Sequence, residues 1–412
     1  MKYKKELIIT FFIAILILFL KYINVFQIEN GLAKPSVLFL MVVIFSFFTI
    51  KIQRNIDISF KTHQLYYQNL NILKYISSIL IIILHLRPFA HFSNELDLAF
   101  NNIVTRICVP IFFVITGYFV AKKEKENPHY IDLYIRKTIP LYLFWSLMYV
   151  PVMIASIVPY LPQINDYLGG LHISMLWSVV LIVLLLPIAI IVVLCYSGVY
   201  YHLWYFPAII LSLIVLKKWK KKYNIHSLLL ISFVLLLFGA TETYYGVLPI
   251  SIKEVVSHYY HIFFTTRNFL FFGLFYVVLG YKISLKEHAY SNYCFLKLII
   301  SFFFLIFEAI LLHDTKRLDS NILLSCIPVT YYLFVCTIYI QNKSHLSFSF
   351  GQYSKYYYLI HPMVIFGVSL QFKRIYNQPF LYIIIVLLIT HMISKMIIEL
   401  KKHDFLVRIK ER

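Results

Sequence analysis

In this 412-residue chain, His85 is the residue whose sequence surroundings most strongly indicate a catalytic role. It ends an apolar run that starts at Asn71 and contains no acidic residue to pair with the ring. An ionisable group at membrane depth is costly, so such a residue is a functional-site hypothesis by default. Arg106 places a second charge at the start of another apolar run. Together the two runs predict chemistry inside a membrane.

Lys74 lies in the same run as His85, eleven residues before it. At about 100° per residue the two positions are within about 20° of three full helical turns, so they share one helix face. The rise of about 1.5 Å per residue separates them by about 16 Å, too far for a contacting acid–base pair. We expect both to line one path, with Lys74 near the cytoplasmic mouth and His85 toward the outer side. A neutral imidazole in a dry site is a competent general base. The alternative, which these residues alone leave open, is a histidine bonded to a carbonyl of a neighbouring helix.

The composition fixes the class of protein. Hydrophobic residues make up 61% of the chain and charged residues 14%, and the mean hydropathy is +0.78. The apolar runs are continuous rather than alternating, which predicts an all-α, polytopic transmembrane helix bundle. The formal net charge of +20 is carried by short clusters between apolar runs. Such clusters set the orientation of helices in a membrane, so we expect contact with membrane lipid and no nucleic-acid partner. The five cysteines show no CxxC spacing, and we expect neither a disulfide framework nor a metal site.

The topology follows from the order of apolar runs and basic clusters. Thirteen runs lie at roughly 6–26, 36–52, 70–86, 106–121, 138–160, 173–196, 202–216, 227–245, 267–283, 293–313, 321–341, 355–372 and 378–399. If all of them crossed, the lysines at 217–222 would lie opposite those at 122–125, against the positive-inside rule. We therefore expect run 173–196, which Pro187 divides, to be a hairpin that does not cross. The prediction is a multi-pass protein of the plasma membrane with both termini cytoplasmic and with outer loops that include 87–105 and 246–266.

Five blocks of sequence, taken in order, resemble the membrane acyltransferase-3 family. They contain Asn71, Lys74 and His85; Arg106 to Phe119; Tyr201 to Pro207; Arg267 to Gly273 leading to Gly280-Tyr281; and Tyr358 to Pro362. The resemblance implies a ten-helix acyltransferase core at 66–400, preceded by a two-helix extension at 1–65 and followed by a basic cytoplasmic tail at 401–412. The non-spanning hairpin would be additional to that core.

The resemblance also implies an activity. Members of the family transfer an acyl group, commonly acetyl, from cytoplasmic acyl-CoA to a hydroxyl of a surface polysaccharide or another acceptor of the cell envelope. Acyl-CoA, with acetyl-CoA as the expected form, would be a co-substrate, and we expect no bound cofactor. The family's central histidine matches His85. Its usual arginine is Lys74 here, and its usual aspartate is Asn71, so the positive charge is kept while the bidentate fork of a guanidinium is lost.

The other matched residues receive roles with alternatives. Arg106 would orient an acyl carbonyl, or else extend its side chain to lipid headgroups. Arg267 and Asn268 would supply donors to a tetrahedral oxyanion, with the same alternative for the arginine. His202 would be a polar group on the acceptor side, and Trp204 would bind substrate or belong to an aromatic belt. His361, placed by sequence near the cytoplasmic third of its helix, would line the CoA entrance or be a hydrogen-bonded core histidine.

A transporter of a glycan precursor or an amino acid is the alternative function. The family also resembles the membrane half of certain serine/alanine racemases that carry a transport role. No racemase sequence follows in this chain, so we expect this alternative to be the weaker one. An acyltransferase needs a slot for CoA, whereas a transporter needs a continuous route open to both sides in turn.

Overall fold

The computed structural model describes residues 63–157, 190–285, 293–313, 317–339, 350–372 and 375–410, with the single residues 159 and 315. Within them the chain forms α-helices joined by short π and 3₁₀ turns, without a β-strand. The all-α helix bundle predicted from composition is confirmed. The first two apolar runs, most of run 173–196 and Pro187 lie outside the described residues, so the predicted two-helix extension and hairpin remain predictions.

The α-helices follow the apolar runs, except for two that lie between runs. They are α1 (His63–Leu86), α2 (Asn94–Asp97), α3 (Cys108–Glu126), α4 (Tyr130–Ile157), α5 (Tyr205–Trp219), α6 (Ile225–Ala240), α7 (Ile250–Phe263), α8 (Leu274–Leu285), α9 (Cys294–His313), α10 (Cys326–Tyr339), α11 (Phe350–Gln371) and α12 (Pro379–Lys410). Among the described residues, five helical segments are long and apolar enough to cross a membrane: Gln68–Leu86, Asn94–Glu126, Tyr130–Ser156, Cys294–His313 and Pro379–Lys401. The chain is therefore a multi-pass membrane protein.

Two hydrophobic clusters organise the bundle. The first joins α3, α5, α6, α8, α9 and α10, with Phe113 and Val277 fully buried in it. The second joins α4, α11 and α12, with Tyr149 and Val386 fully buried. Helix α1 belongs to both, because Leu70 packs in the first and Ile82 in the second. The boundary between the clusters is where the cavity described below lies.

Helices α3 and α8 make the closest contact in the bundle. A Cβ added at Gly117 would lie 2.0 Å from the backbone oxygen of Val277, and one at Gly280 would lie 2.1 Å from that of Val114. Small residues allow helices in membranes to approach at backbone distance. Gly117, which the matched sequence block contains, is therefore a packing position rather than a ligand contact.

Three segments differ from the expected topology. The expected loops 87–105 and 246–266 are partly helical, through α2 with the π turn Leu98–Val104 and through α7. Ile250, Val255 and Ile262 of α7 are exposed while Val256 is buried, as in an amphipathic helix at an interface. The span expected from 321 becomes helical only at Cys326.

The backbone before α10 is buried although it is irregular. Glu308 of α9 satisfies its hydrogen-bond donors. Its carboxylate accepts hydrogen bonds from the N–H groups of Leu324 and Ser325, both at 2.7 Å, and from the hydroxyl of Tyr244. Irregular backbone is tolerated at membrane depth where protein groups satisfy its donors. A carboxylate at a helix N-terminus also complements the helix dipole. Glu308, for which the sequence indicated no role, holds this segment in place.

Candidate functional site

One cavity of about 550 Å³ lies between the two hydrophobic clusters. Phe112 and Thr116 of α3, Tyr134 of α4 and Tyr358 of α11 are among the residues that line it. Both Lys74 and His85 reach it from α1. The helix-face argument from their spacing therefore placed them correctly in one cavity, although the roles of both residues remain predictions.

His85 lies in this cavity among aromatic rings. Its ring centroid is 4.6 Å from that of Tyr201 and 5.4 Å from that of His361, with which it stacks at 19°. The imidazole has no hydrogen-bond partner among the described residues, so the alternative of a histidine fixed by a neighbouring carbonyl does not hold in this part of the chain. A free imidazole in a cavity is available to exchange a proton with a ligand.

His361 is held by its own helix. Its Nδ1 is 2.8 Å from the carbonyl oxygen of Tyr357, and its buried Nε2 has no partner. The residue after it, Pro362, has no backbone N–H. Beside it the Tyr149 hydroxyl donates to the carbonyl of Leu359 at 2.7 Å and accepts from the N–H of Met363 at 3.3 Å, which bridges the loosened turn. His361 thus lies near the middle of α11 against His85, hydrogen-bonded on one side as a core histidine would be, and a role at the CoA entrance stays a prediction.

The region between α4 and α5 brings His202 and Trp204 to the same cavity. His202 is 3% exposed, and neither ring nitrogen has a hydrogen-bond partner. Its ring centroid lies 5.8 Å from that of His361. Trp204 is 6% exposed and packs inside the first hydrophobic cluster, so it is not part of an interfacial aromatic belt.

Two arginines reach the cavity near the end at which α1 terminates. The Nη1 of Arg106 donates to Oδ1 of Asn321 at 3.0 Å, and its Nη2 donates to Oδ1 of Asn102 at 3.4 Å. The guanidinium carbon of Arg267 lies 5.5 Å from the ring centroid of Trp204. In both arginines Nε is buried without a partner. Both side chains point inward, and neither extends to lipid headgroups.

Glu242 fixes the segments that carry both arginines. Its Oε2 accepts from the N–H and the hydroxyl of Thr266, both at 2.7 Å, and its Oε1 accepts from Nδ2 of Asn321 at 3.2 Å. Thr266 precedes Arg267, and Asn321 is the partner of Arg106. Burial, followed by repulsion from Asp319, raises the pKa of Glu242 in this loop after α6.

Two predicted site residues do not line the cavity. Asn268 caps the π turn that follows it, since its Oδ1 accepts from the N–H groups of Leu270 at 2.9 Å and Phe271 at 3.1 Å, and its Nδ2 donates to the Tyr196 hydroxyl at 3.1 Å. Asn71 packs on α11, where a Cβ at Gly351 would lie 2.7 Å from its Oδ1. The structure therefore does not bring Asn268 to the cavity, because its amide oxygen accepts from the backbone of its own turn and its amide nitrogen donates to the Tyr196 hydroxyl.

The cavity contains residues that the sequence did not single out. Lys137 of α4 and Lys355 of α11 join Lys74 in lining it, and Asn321 lies at the arginine end. Lys137 belonged to a basic cluster assigned only to topology. Lys355 could have been predicted from its spacing to Tyr358, because residues three positions apart lie on one face of a helix.

π turns adjoin these cavity residues in three places. Leu98–Val104 comes just before Arg106, Val193–Ser197 comes before Tyr201 and His202, and Phe269–Gly273 follows Arg267. Such turns are common at functional sites, because they re-aim the side chains around them. Among the described residues no group of three or more His, Cys, Asp or Glu side chains has the arrangement of a metal site.

Comparison with known protein families supports the resemblance that the five sequence blocks indicated. The acyltransferase domain model of the acyltransferase-3 family matches residues 67–397. The chain belongs to the acyltransferase-3 family. No solved structure matches the chain.

Curated relatives carry a different activity in their names. An "Amino-acid racemase" of Enterococcus faecalis is 28% identical over 287 residues, which cover 67% of this chain and 36% of the relative. A "Serine/alanine racemase" of Enterococcus gallinarum is 24% identical over 325 residues, 76% of this chain and 43% of the relative. A second "Amino-acid racemase" of Enterococcus faecalis is 25% identical over 351 residues, 81% of this chain and 46% of the relative. The chain thus spans less than half of the length of each of these relatives.

Proposed function

We propose that this protein transfers an acyl group, acetyl in the simplest case, from cytoplasmic acyl-CoA to a hydroxyl of an acceptor at the outer side of the membrane. The observation that carries the proposal is the unpartnered imidazole of His85 in a cavity shared with lysines and arginines. Membership in a family of acyltransferases supplies the reaction class.

The positively charged residues of the cavity lie in two groups, and the lysines form the group that suits the acyl donor. Lys74, Lys137 and Lys355 form the basic mouth of the cavity. This mouth suits the phosphates of a CoA molecule, which lie far from the thioester. An extended pantetheine arm would then carry the thioester along α1 toward His85, over the distance of about 16 Å between Lys74 and His85 on that helix.

The reaction we propose is a direct transfer. A ring nitrogen of His85 takes the proton of the acceptor hydroxyl while the hydroxyl oxygen attacks the thioester carbonyl carbon. The guanidinium of Arg106 or Arg267 stabilises the oxyanion that forms. The carbon–sulfur bond then breaks, and the CoA thiolate leaves with the proton that His85 had accepted. The new ester and free CoA are the products.

A test compares two histidine variants in purified, reconstituted protein supplied with acetyl-CoA and an envelope extract as acceptor. His85→Ala should lower transfer by about 10²- to 10⁴-fold, the range for general acid–base catalysis. His391→Ala is the matched control, because His391 lies outside the cavity and bonds the Tyr357 hydroxyl at 2.9 Å. Transfer by His85→Ala at the wild-type rate, with both variants equally well folded, would exclude the general-base role.

Transport of an amino acid is the second candidate function. The names of the relatives, which act on amino acids, are what favours it. It predicts uptake of labelled serine or alanine into vesicles that contain the protein without acyl-CoA. Uptake that needs no acyl-CoA, together with absent acyl transfer, would replace the acyltransferase proposal by this one.

A further inference from the structure

The charges of the cavity lining are strongly one-sided. Five of the described lining residues are basic, and no aspartate or glutamate is among them; the basic residues are Lys74, Arg106, Lys137, Arg267 and Lys355. The lysines form the basic mouth. The two arginines lie at the other end, where α1 ends and α3 begins, and they need a separate explanation.

No carboxylate pairs directly with either arginine in the part of the chain that the structure describes. Arg106 bonds two neutral amides, Asn321 at 3.0 Å and Asn102 at 3.4 Å, and makes no ion pair. Arg267 lies over the Trp204 ring at 5.5 Å, which is a weaker interaction than an ion pair with a carboxylate. Each Nε is buried and has no hydrogen-bond partner. Two guanidiniums therefore face the cavity with donors to spare.

The nearby carboxylates do not line the cavity, although Asp319 lies close enough to attract the charge of Arg106. Glu242 is occupied by Thr266 and Asn321, and Asp319 accepts from the same Asn321 side chain. The amide of Asn321 thus stands between Arg106 and both acids. Buried charges that lack a directly paired counter-charge are unfavourable, so two of them favour binding of an anion from outside the protein.

The donor does not supply that anion. Its thioester and pantetheine arm are uncharged, and its phosphates suit the basic mouth. An oxyanion in the transition state would give one negative charge for the lifetime of that state, which leaves two guanidiniums uncompensated in the resting complex. The missing charge has to come with the acceptor.

We infer that the acceptor carries an anionic group, a carboxylate or a phosphate, beside the hydroxyl that is acylated, and that Arg106 and Arg267 bind that group. The planar fork of a guanidinium matches either oxyanion with paired hydrogen bonds. As a statement about an acceptor, the inference rests on the proposed function. The binding of the anion itself is measured without any acyl transfer.

The experiment is thermal unfolding of the full-length protein in lipid nanodiscs, without acyl-CoA and at constant ionic strength. The probes are two pairs that differ in charge: galacturonate against galactose for a carboxylate, and glycerol 3-phosphate against glycerol for a phosphate. The anionic member of one pair should raise the unfolding temperature in a saturable way, as a ligand of the folded state does. The pair that responds identifies the oxyanion.

Variants locate the effect. Arg106→Gln and Arg267→Gln should each weaken binding of the responding probe by about tenfold or more, and Arg267→Lys should weaken it less because the charge remains. Arg136→Gln, which alters an exposed arginine outside the cavity, should leave it unchanged. The inference fails if no anion stabilises the protein more than its neutral partner, or if the preference survives in the double glutamine variant.

The two proposals fail in distinguishable ways. His85→Ala should lose transfer and keep anion binding. If anions bind at the two arginines but acetyl-CoA is never consumed, the anion site stands while the acyltransferase proposal, and with it the acceptor assignment, falls. If transfer occurs equally well to uncharged acceptors and anions do not bind, the acyltransferase proposal stands and the anionic acceptor falls.

Discussion

Lys74→Gln removes one positive charge from the basic mouth and changes little else. The lysine ammonium lies 5.3 Å from the ring centroid of Phe119 and has no acidic partner among the described residues. If it bonds a phosphate of CoA, its loss should cost about 1.5 to 3 kcal/mol, the range for a hydrogen bond to a charged group. At about 1.4 kcal/mol per factor of ten, the affinity for acyl-CoA should fall roughly 10- to 150-fold.

The assay is the initial rate of transfer against acyl-CoA concentration in reconstituted protein, repeated against acceptor concentration. The Lys74→Gln effect should appear in the acyl-CoA dependence and leave the acceptor dependence nearly unchanged. Lys74→Arg, which keeps the charge, should be tolerated. Lys395→Gln is the control, since Lys395 is exposed on α12 and pairs with Glu399 at 3.9 Å.

An unchanged acyl-CoA dependence in Lys74→Gln would refute this reasoning. Lys74 would then be a residue that extends its amine to the cytoplasmic face and rests on Phe119. The path along α1 that links Lys74 to His85 would lose its role in donor binding, although the cavity itself would remain.

Other expectations follow from packing, from the network behind the arginines and from topology. Gly280→Ala should lower the unfolding free energy by about 1 to 3 kcal/mol through overpacking, whereas Gly367→Ala, with nothing within 4 Å of its added Cβ, should not lower it; thermal unfolding compares the two. Glu242→Gln should lower both the unfolding temperature and the transfer rate, because the amide keeps only one acceptor oxygen for the donors of Thr266 and Asn321. Glu254→Gln on the exposed face of α7 should do neither. A cysteine at Trp219 should be labelled by an impermeant reagent only after the inner face is opened, and labelling in intact cells would reverse the proposed orientation.

The parts of the fold that depend on local pattern could be predicted from sequence. Continuous apolar runs indicated most of the helices, and the eleven-residue spacing of Lys74 and His85 put them on one face. Arg106 and Arg267, two charged residues with no acidic neighbour in the sequence, line the cavity as the sequence predicted, although their roles remain predictions. The sequence identifies such residues because a charge inside an apolar run is rare whatever its surroundings.

The parts that depend on long-range contacts could not be predicted. The irregular segment before α10 is stable because Glu308, on a different helix, satisfies its backbone donors. Asn321 reaches the cavity only through that segment. The position of Asn268 in the sequence predicted an amide in the site. In the structure its side-chain oxygen instead accepts hydrogen bonds from its own turn. The contact of His361 with His85 could not be predicted either, because it depends on where α11 begins relative to α1.

The contact between α3 and α8 has a practical consequence for measuring motion in this protein. Because backbone meets backbone at Gly117 and Gly280, the two helices cannot slide or separate without breaking their packing. Spin labels on the outer surfaces of α3 and α8 should therefore keep one sharp distance under all conditions. That pair is a fixed reference, and changes in distance from it to α4 or α11 would report how the cavity widens when substrates enter.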